Sequence, residues 1–155
     1  MAKIVVGIDP GLNGGICCQD VASGDILRLV KIPEQNSPRE LVETFRGMAL
    51  FGTVALALYE RVRSSPQMGV SSAFTFARGV GQIEGCLAAM DWPIEDILPQ
   101  KWQKAIGCLT KGDKNISKAK AMALFPKTKV FHWNADAILI CEMARRTYLE
   151  RHRTI

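Results

Sequence analysis

Two apolar runs constrain this chain most. Ile4-Val5-Val6-Gly7-Ile8 stops at Asp9, and Val54-Ala55-Leu56-Ala57-Leu58-Tyr59 stops at Glu60. Runs without polar alternation read as strands buried on both faces, the kind found in parallel sheets with helices on each side. After the first run, Pro10-Gly11 and then Asn13-Gly14-Gly15 turn the chain twice. Asp9 is thereby pinned where a strand leaves its sheet. A carboxylate held on such a rigid end is how a sheet presents charge to a cleft.

The remaining segments predict an α/β order. Residues 3–9 read as the first strand. Residues 14–20 and 25–31 follow as two more, joined by the hairpin signal Ala22-Ser23-Gly24-Asp25, so the chain opens as an antiparallel meander. Pro33 to Pro38 reads as a loop. Ser37, Pro38 and Glu40 then supply an N-cap, a proline at the first helical position and a capping box for a helix over 38–49. The apolar run over 53–60 is the fourth strand, and Arg61 to Val70 is a loop. A helix spans 71–90, with Gly79, Gly81 and Gly85 inside it. Glycines weaken a helix by about 1 kcal/mol each, so they are expected to let another element approach closely. Asp91-Trp92-Pro93 ends that helix, and 94–98 is a short strand. Helices follow over 99–106, 116–124 and 134–151, with a polar loop from Gly107 to Asn115. Right-handed crossovers then assemble a five-stranded mixed sheet with helices on both faces.

A length of 155 residues fits one domain over 1–155. Hydrophobic residues make up 48% of it, enough for a core, and no stretch is long enough for a membrane span. The N-terminus lacks the basic, apolar, small-residue order of a signal peptide. The five Cys include no Cys-x-x-Cys and no zinc spacing. They read as reduced core thiols of a cytoplasmic protein. Positive charge is concentrated: residues 99–130 hold Lys101, Lys104, Lys111, Lys114, Lys118, Lys120, Lys127 and Lys129 against Asp113 alone, exceeding the chain's net +5. A segment of that kind predicts a nucleic-acid or phosphate surface.

If the two apolar strands are parallel neighbours, Asp9 and Glu60 end about 4.8 Å apart. Two carboxylates so placed repel, and a cation between them stabilises both. Asp136 lies near the start of an otherwise apolar helix, flanked by Ala135 and Ala137, which let that helix lie close against something. His132 is four residues earlier, about one helical turn and about 6 Å of rise. Three carboxylates and one imidazole suit Mg²⁺ or Mn²⁺ better than zinc. Such a set can hold two ions about 3.5–4 Å apart and hydrolyse a phosphodiester.

These residues carry a resemblance. Gly7-Ile8-Asp9-Pro10-Gly11, Tyr59-Glu60, Pro99-x-x-Trp102, the segment from Lys114 to Pro126, and His132-x-x-Ala135-Asp136-Ala137-x-Leu139 together resemble the RuvC family, and more closely its phage-type members, in order over almost the full chain. The resemblance implies a ribonuclease H-like fold. It also implies a homodimeric, Mg²⁺-dependent endonuclease that cuts four-way (Holliday) DNA junctions in recombination and repair, with Mn²⁺ able to substitute. Carried over, Asp9, Glu60 and Asp136 are metal ligands, and His132 stands where the family often has Asp. Arg61 and Arg63 lie beside the metals where scissile phosphates sit. Met68, Phe74 and Phe76 fall in the region that in the family probes the junction centre and the dimer interface, and Phe74 is a candidate wedge between unstacked bases. Lys101, Lys104, Lys111, Lys114 and Lys118 are candidates for backbone phosphates, and Lys114 also for the attacking water or transition-state charge. The implied setting is the cytoplasm of a bacterial or phage-infected cell, or an organelle.

Rival readings share the fold. Asp9-x-Gly11 before a Gly-rich hairpin also resembles the first phosphate loop of actin-like ATPases. Those need a second lobe that one domain of this size lacks, so no nucleotide cofactor is expected. A non-catalytic junction-binding protein is a second rival, supported by His132. A nuclease for RNA–DNA hybrids or other branched DNA is a third, because the same acids serve all these substrates.

Overall fold

The structure is a computed structural model that describes residues 1–33 and 37–154. Strands β1 (Lys3–Ile8), β2 (Gly15–Asp20) and β3 (Ile26–Lys31) precede helix α1 (Pro38–Ala49). Then come β4 (Thr53–Glu60), α2 (Val70–Ala89), β5 (Ile94–Ile97), α3 (Pro99–Ile106), α4 (Lys114–Leu124) and α5 (His132–Arg151). The expected loop between Pro33 and Pro38 falls at 34–36, outside the described residues.

The sheet order is β3-β2-β1-β4-β5. β1 pairs antiparallel with β2 and parallel with β4, β2 pairs antiparallel with β3, and β4 pairs parallel with β5. The expected five-stranded mixed sheet is therefore present. Each strand's alternation feeds two cores. Ile4, Val6, Ile8 and Ile16 pack with Leu41, Phe45 and Met48 of α1 and with Ile83 and Leu87 of α2. Val5, Cys17, Leu56 and Leu58 pack on the other face with Trp102, Ala121 and the α5 residues Ile138 to Cys141. Helices thus cover both faces, which is why β1 carries no polar residue after Lys3. All five Cys are buried and unbridged.

Helix ends show where local signals were sufficient. The Ser37 hydroxyl accepts the Glu40 N–H at 3.4 Å, with Pro38 in the first turn, as expected for α1. α4 begins two residues before the expected start, because the Asp113 carboxylate caps it by accepting the Asn115 N–H at 3.0 Å. α5 also begins two residues early. Asn134 is its third residue, and its side-chain oxygen reaches back to accept the Phe131 N–H at 2.8 Å.

Two glycines set the path of the chain near Asp9. A Cβ on Gly7 would fall on the backbone of Cys141, so α5 lies directly against β1 there. A Cβ on Gly14 would fall on the carbonyl of Asp9, so the loop after β1 folds tightly back on it. The close approach of α5 brings Asp136 to the end of β1. Gly7→Ala is expected to destabilise the fold by about 3 kcal/mol or more, the upper range for overpacking, because the clash is with backbone. A urea midpoint unchanged from the parent would contradict this packing.

Two of the three glycines of α2 correct an expectation. Gly79 is buried, but Gly81 and Gly85 face open space among the described residues, with nothing near enough to touch an added Cβ. Within this chain they admit no neighbouring element. Among the described residues no helix is long and apolar enough to cross a membrane.

Candidate active site

The end of β1 and the end of β4 lie side by side. Ile8 pairs with Tyr59, which sets Asp9 next to Glu60. Asp136, on the second turn of α5, reaches the same place from the opposite face. Asp9, Glu60 and Asp136 all line one cavity of about 290 Å³. Lys114, at the start of α4, lines it too, together with Gln103 and Ser117.

The electrostatics are those of crowded acids. Asp9 is pushed up from 3.8 to about 6, first by burial and then by the charge of Asp136; the Gly11 N–H, donating to Oδ1 at 3.1 Å, and Lys114 oppose the rise. Glu60 is pushed up from 4.5 to about 7, mainly by burial and also by Asp9 and Asp136. The indole N–H of Trp102 works against this by donating to Glu60 Oε2 at 2.6 Å. Asp136 Oδ1 is buried with no hydrogen-bond partner among the described residues. A buried carboxylate oxygen without a donor is costly.

In its chemistry that donor set fits a divalent cation. Three carboxylates, one with an orphaned oxygen and two held above their usual range by desolvation and mutual repulsion, suit a hard, oxygen-binding ion. They offer no thiolate to a softer metal. Among the described residues, however, no three His, Cys, Asp or Glu side chains are drawn together into a ready ligand cluster. Uncompensated carboxylates repel one another, and one oxygen of Glu60 is drawn to Trp102. The residues fit in chemistry and share one cavity without converging on one point.

Two larger cavities adjoin this one. A cavity of about 520 Å³ shares Val62 and Pro99 with it, and adds Arg61, Arg63, Phe76 and Leu98. Another of about 530 Å³ shares Pro99, Gln103, Thr110 and Gly112, and adds Lys104 and Lys111. The three cavities meet around Pro99 as one furrow, with the acids in one arm and cationic side chains in the other two.

Not every candidate residue is free to act there. Arg61 lines the furrow but is engaged: its guanidinium makes a two-pronged pair with Asp96, at 2.6 and 3.0 Å. Phe74 is 69% exposed, one turn into α2, and lines none of the three cavities, whereas Phe76 lines the one beside Arg63. His132 is the first residue of α5, exposed and absent from the cavity lining, one turn before Asp136. Lys101 and Lys118 also lie outside the three linings. Conversely, Gln103 enters the site with no motif to mark it, and Trp102 and Ser117 had only their places in motifs. The motif spacing hinted at Trp102, because residue 102 lies one turn into a helix that starts at a proline. Nothing local marked Gln103.

In class, the sheet order, strand directions and flanking helices define a ribonuclease H-like α/β protein. In particular, the fold is similar to that of Thermus thermophilus RuvC solved in complex with a Holliday junction substrate, with a TM-score of 0.66 and 16% identity over 96% of this chain and 95% of that one. A further Thermus thermophilus RuvC structure gives 0.64 and 15% over 97% of both chains. The yeast mitochondrial Holliday junction resolvase gives 0.56 and 13% over 96% of this chain and 82% of that one. At these identities the likeness is one of fold. No family model matches the sequence, and no curated protein matches it in sequence.

Proposed function

We propose that this protein is a divalent-metal-dependent, structure-selective endonuclease that hydrolyses phosphodiesters at four-way DNA junctions. The observation that carries the reading is the meeting of Asp9, Glu60 and Asp136 in one cavity, with Asp136 Oδ1 buried and unsatisfied. These three residues would hold Mg²⁺, or Mn²⁺ in its place, as a pair of ions. Such ions, when bound, activate water and neutralise charge on the phosphodiester. The chain's own residues do the rest. Lys114 sets a cation at the edge of the acids, where a phosphate oxygen gathers charge. Lys104, Lys111 and Arg63 carry positive charge along the furrow and neutralise backbone phosphates. The similarity of fold to junction resolvases supports the choice of a branched duplex over a single strand.

We also propose a homodimer built on α2. Val70 is 90% exposed, and Phe74, Ala77, Gly81, Gly85 and Ala88 continue an exposed apolar or small face along the same side of the helix. The glycines, open on this chain, would admit the backbone of a second copy. Gly81→Arg is expected to convert a dimer to a folded monomer by analytical ultracentrifugation, with an unchanged circular dichroism spectrum. A dimer that persists in the variant would place the interface elsewhere.

The test of the function is one gel assay. Purified protein is incubated with a synthetic four-way junction, matched linear duplex, a replication-type fork and an RNA–DNA hybrid, in Mg²⁺, Mn²⁺ or chelator. Paired symmetric nicks in the junction alone, only with metal, are expected. Preferential cutting of the fork or hybrid would replace the substrate and keep the site. His132, exposed and outside the cavity lining, favours one second reading, a junction-binding protein without nuclease activity. Tight junction binding with no cutting under any metal would establish it. Lys114→Ala is expected to slow cutting or weaken binding by about tenfold, in line with loss of one charge-assisted contact. Unchanged binding and cutting would make Lys114 a solvated bystander.

A further inference from the structure

The proposed reaction leaves one sequence motif without a task, Pro99-x-x-Trp102. We propose that α3 is a brace for the cavity, in which Trp102 positions the Glu60 carboxylate for its cation and Gln103 positions the lysine-bearing loop opposite. This inference rests on reading the cavity as a metal-dependent nuclease site.

Trp102 is fully buried. A buried indole has one polar atom, and leaving its N–H without an acceptor is costly. Here the acceptor is Glu60 Oε2 at 2.6 Å, the short distance of a charge-assisted bond. The constraint is mutual. The ring is packed in the core with Leu58, Ile97 and Ile106 and cannot swing away, so the carboxylate is held by one oxygen while the other is left for a cation or water. A surface donor such as Lys could do this only loosely. Groups that hydrogen-bond a metal ligand orient it and raise its effectiveness.

The neighbouring residue serves the other wall. Successive helical residues point about 100° apart, so Gln103 turns toward the loop rather than toward Glu60. Its side-chain oxygen accepts both the N–H and the hydroxyl of Thr110, each at 3.3 Å. Its backbone oxygen accepts the N–H groups of Gly107 and Cys108 at 3.0 and 2.8 Å, where Gly107 ends the helix at φ +82°. Thr110 passes the tether on: its carbonyl accepts the Asp113 N–H at 2.9 Å, and Asp113 caps the helix that begins with Lys114. One short helix thus sets the spacing between an acid and the facing lysine.

The test removes the N–H of Trp102 and keeps the ring. Trp102 is replaced by β-(3-benzothienyl)alanine, an isostere with sulfur in place of the indole nitrogen, and Mn²⁺ binding without DNA is followed by electron paramagnetic resonance. Mn²⁺ affinity is expected to fall by about 10- to 100-fold, the range for loss of a group that supports a metal ligand, with the urea midpoint showing that the isostere is folded. Equal affinities in the native and isosteric proteins would reduce Trp102 to a packing residue and overturn the inference alone. Failure of the native protein to bind Mn²⁺ would overturn the metal reading and the brace together. For the second wall, Gln103→Ala is expected to speed amide exchange at Thr110 and Gly112, the two amides its tether to the loop reaches. Unchanged exchange at those amides would remove Gln103 from the brace.

Discussion

Asp9→Asn is expected to lower junction cleavage by more than about a hundredfold, while junction binding in chelator stays the same or tightens. The size follows from the place of Asp9 in the cavity. It lines the same space as Glu60 and Asp136, and losing even an outer-shell support of a metal ligand costs up to about a hundredfold. On the proposed reading binding is spared, because the lysines and Arg63 along the furrow would meet the phosphates, and removing a negative charge favours a polyanion. The same change is expected to stabilise the metal-free protein at pH 8. A carboxyl raised from 3.8 to about 6 is disfavoured in its charged form by about 3 kcal/mol at most, and Asn carries no charge. Cleavage at the parent rate would sink the site assignment. Loss of binding along with cleavage would mean that Asp9 organises the loop rather than the chemistry.

The stability of the metal-free protein is expected to fall as pH rises from about 4 to about 8, and divalent metal is expected to cancel that fall. Asp9 and Glu60 are both raised in the fold, to about 6 and about 7, first by burial. A group raised on folding binds its proton more tightly in the native state, so the fold is favoured where the group is protonated. That advantage is lost as pH climbs from the unfolded values through the folded ones. The two carboxyls together contribute on the order of a few kcal/mol, less any relief from water reaching the cavity. The paired acids Asp96 and Glu95, held low by Arg61 and Arg151, act in the opposite sense but only at more acid pH. On the proposed reading Mg²⁺ or Mn²⁺ would bind the deprotonated carboxylates, so its stabilising effect should grow with pH through the same window. Thermal melts from pH 4 to 9, with metal and with chelator, measure both limbs. A flat chelator curve between pH 5 and 8 would mean that the acids are not crowded. A falling curve that metal leaves unchanged would mean that they are crowded but hold no cation.

Much of this protein is local and was legible in the chain. The unbroken apolar runs before Asp9 and Glu60 mark strands buried on both faces because only helices on each side can cover them. Ser37 with Pro38 marks a helix start because the hydroxyl satisfies a free N–H wherever the helix ends up. Asp9 and Glu60 follow as neighbours once two such strands are taken as parallel. Other features depend on contacts between distant segments. Asp136 reaches Asp9 only because Gly7 lets α5 lie on β1, and a glycine in a strand does not by itself name the segment that will press on it. Arg61 is drawn to Asp96 because β5 pairs with β4, so its charge is already paired where it lines the furrow beside Arg63. Gly81 and Gly85 looked like a packing groove for this chain and face open space instead, since helical spacing shows a face but not what covers it. The link from Trp102 to Glu60 joins a helix to a strand end 42 residues away. A buried indole must find an acceptor, and which one it finds is decided by the tertiary fold.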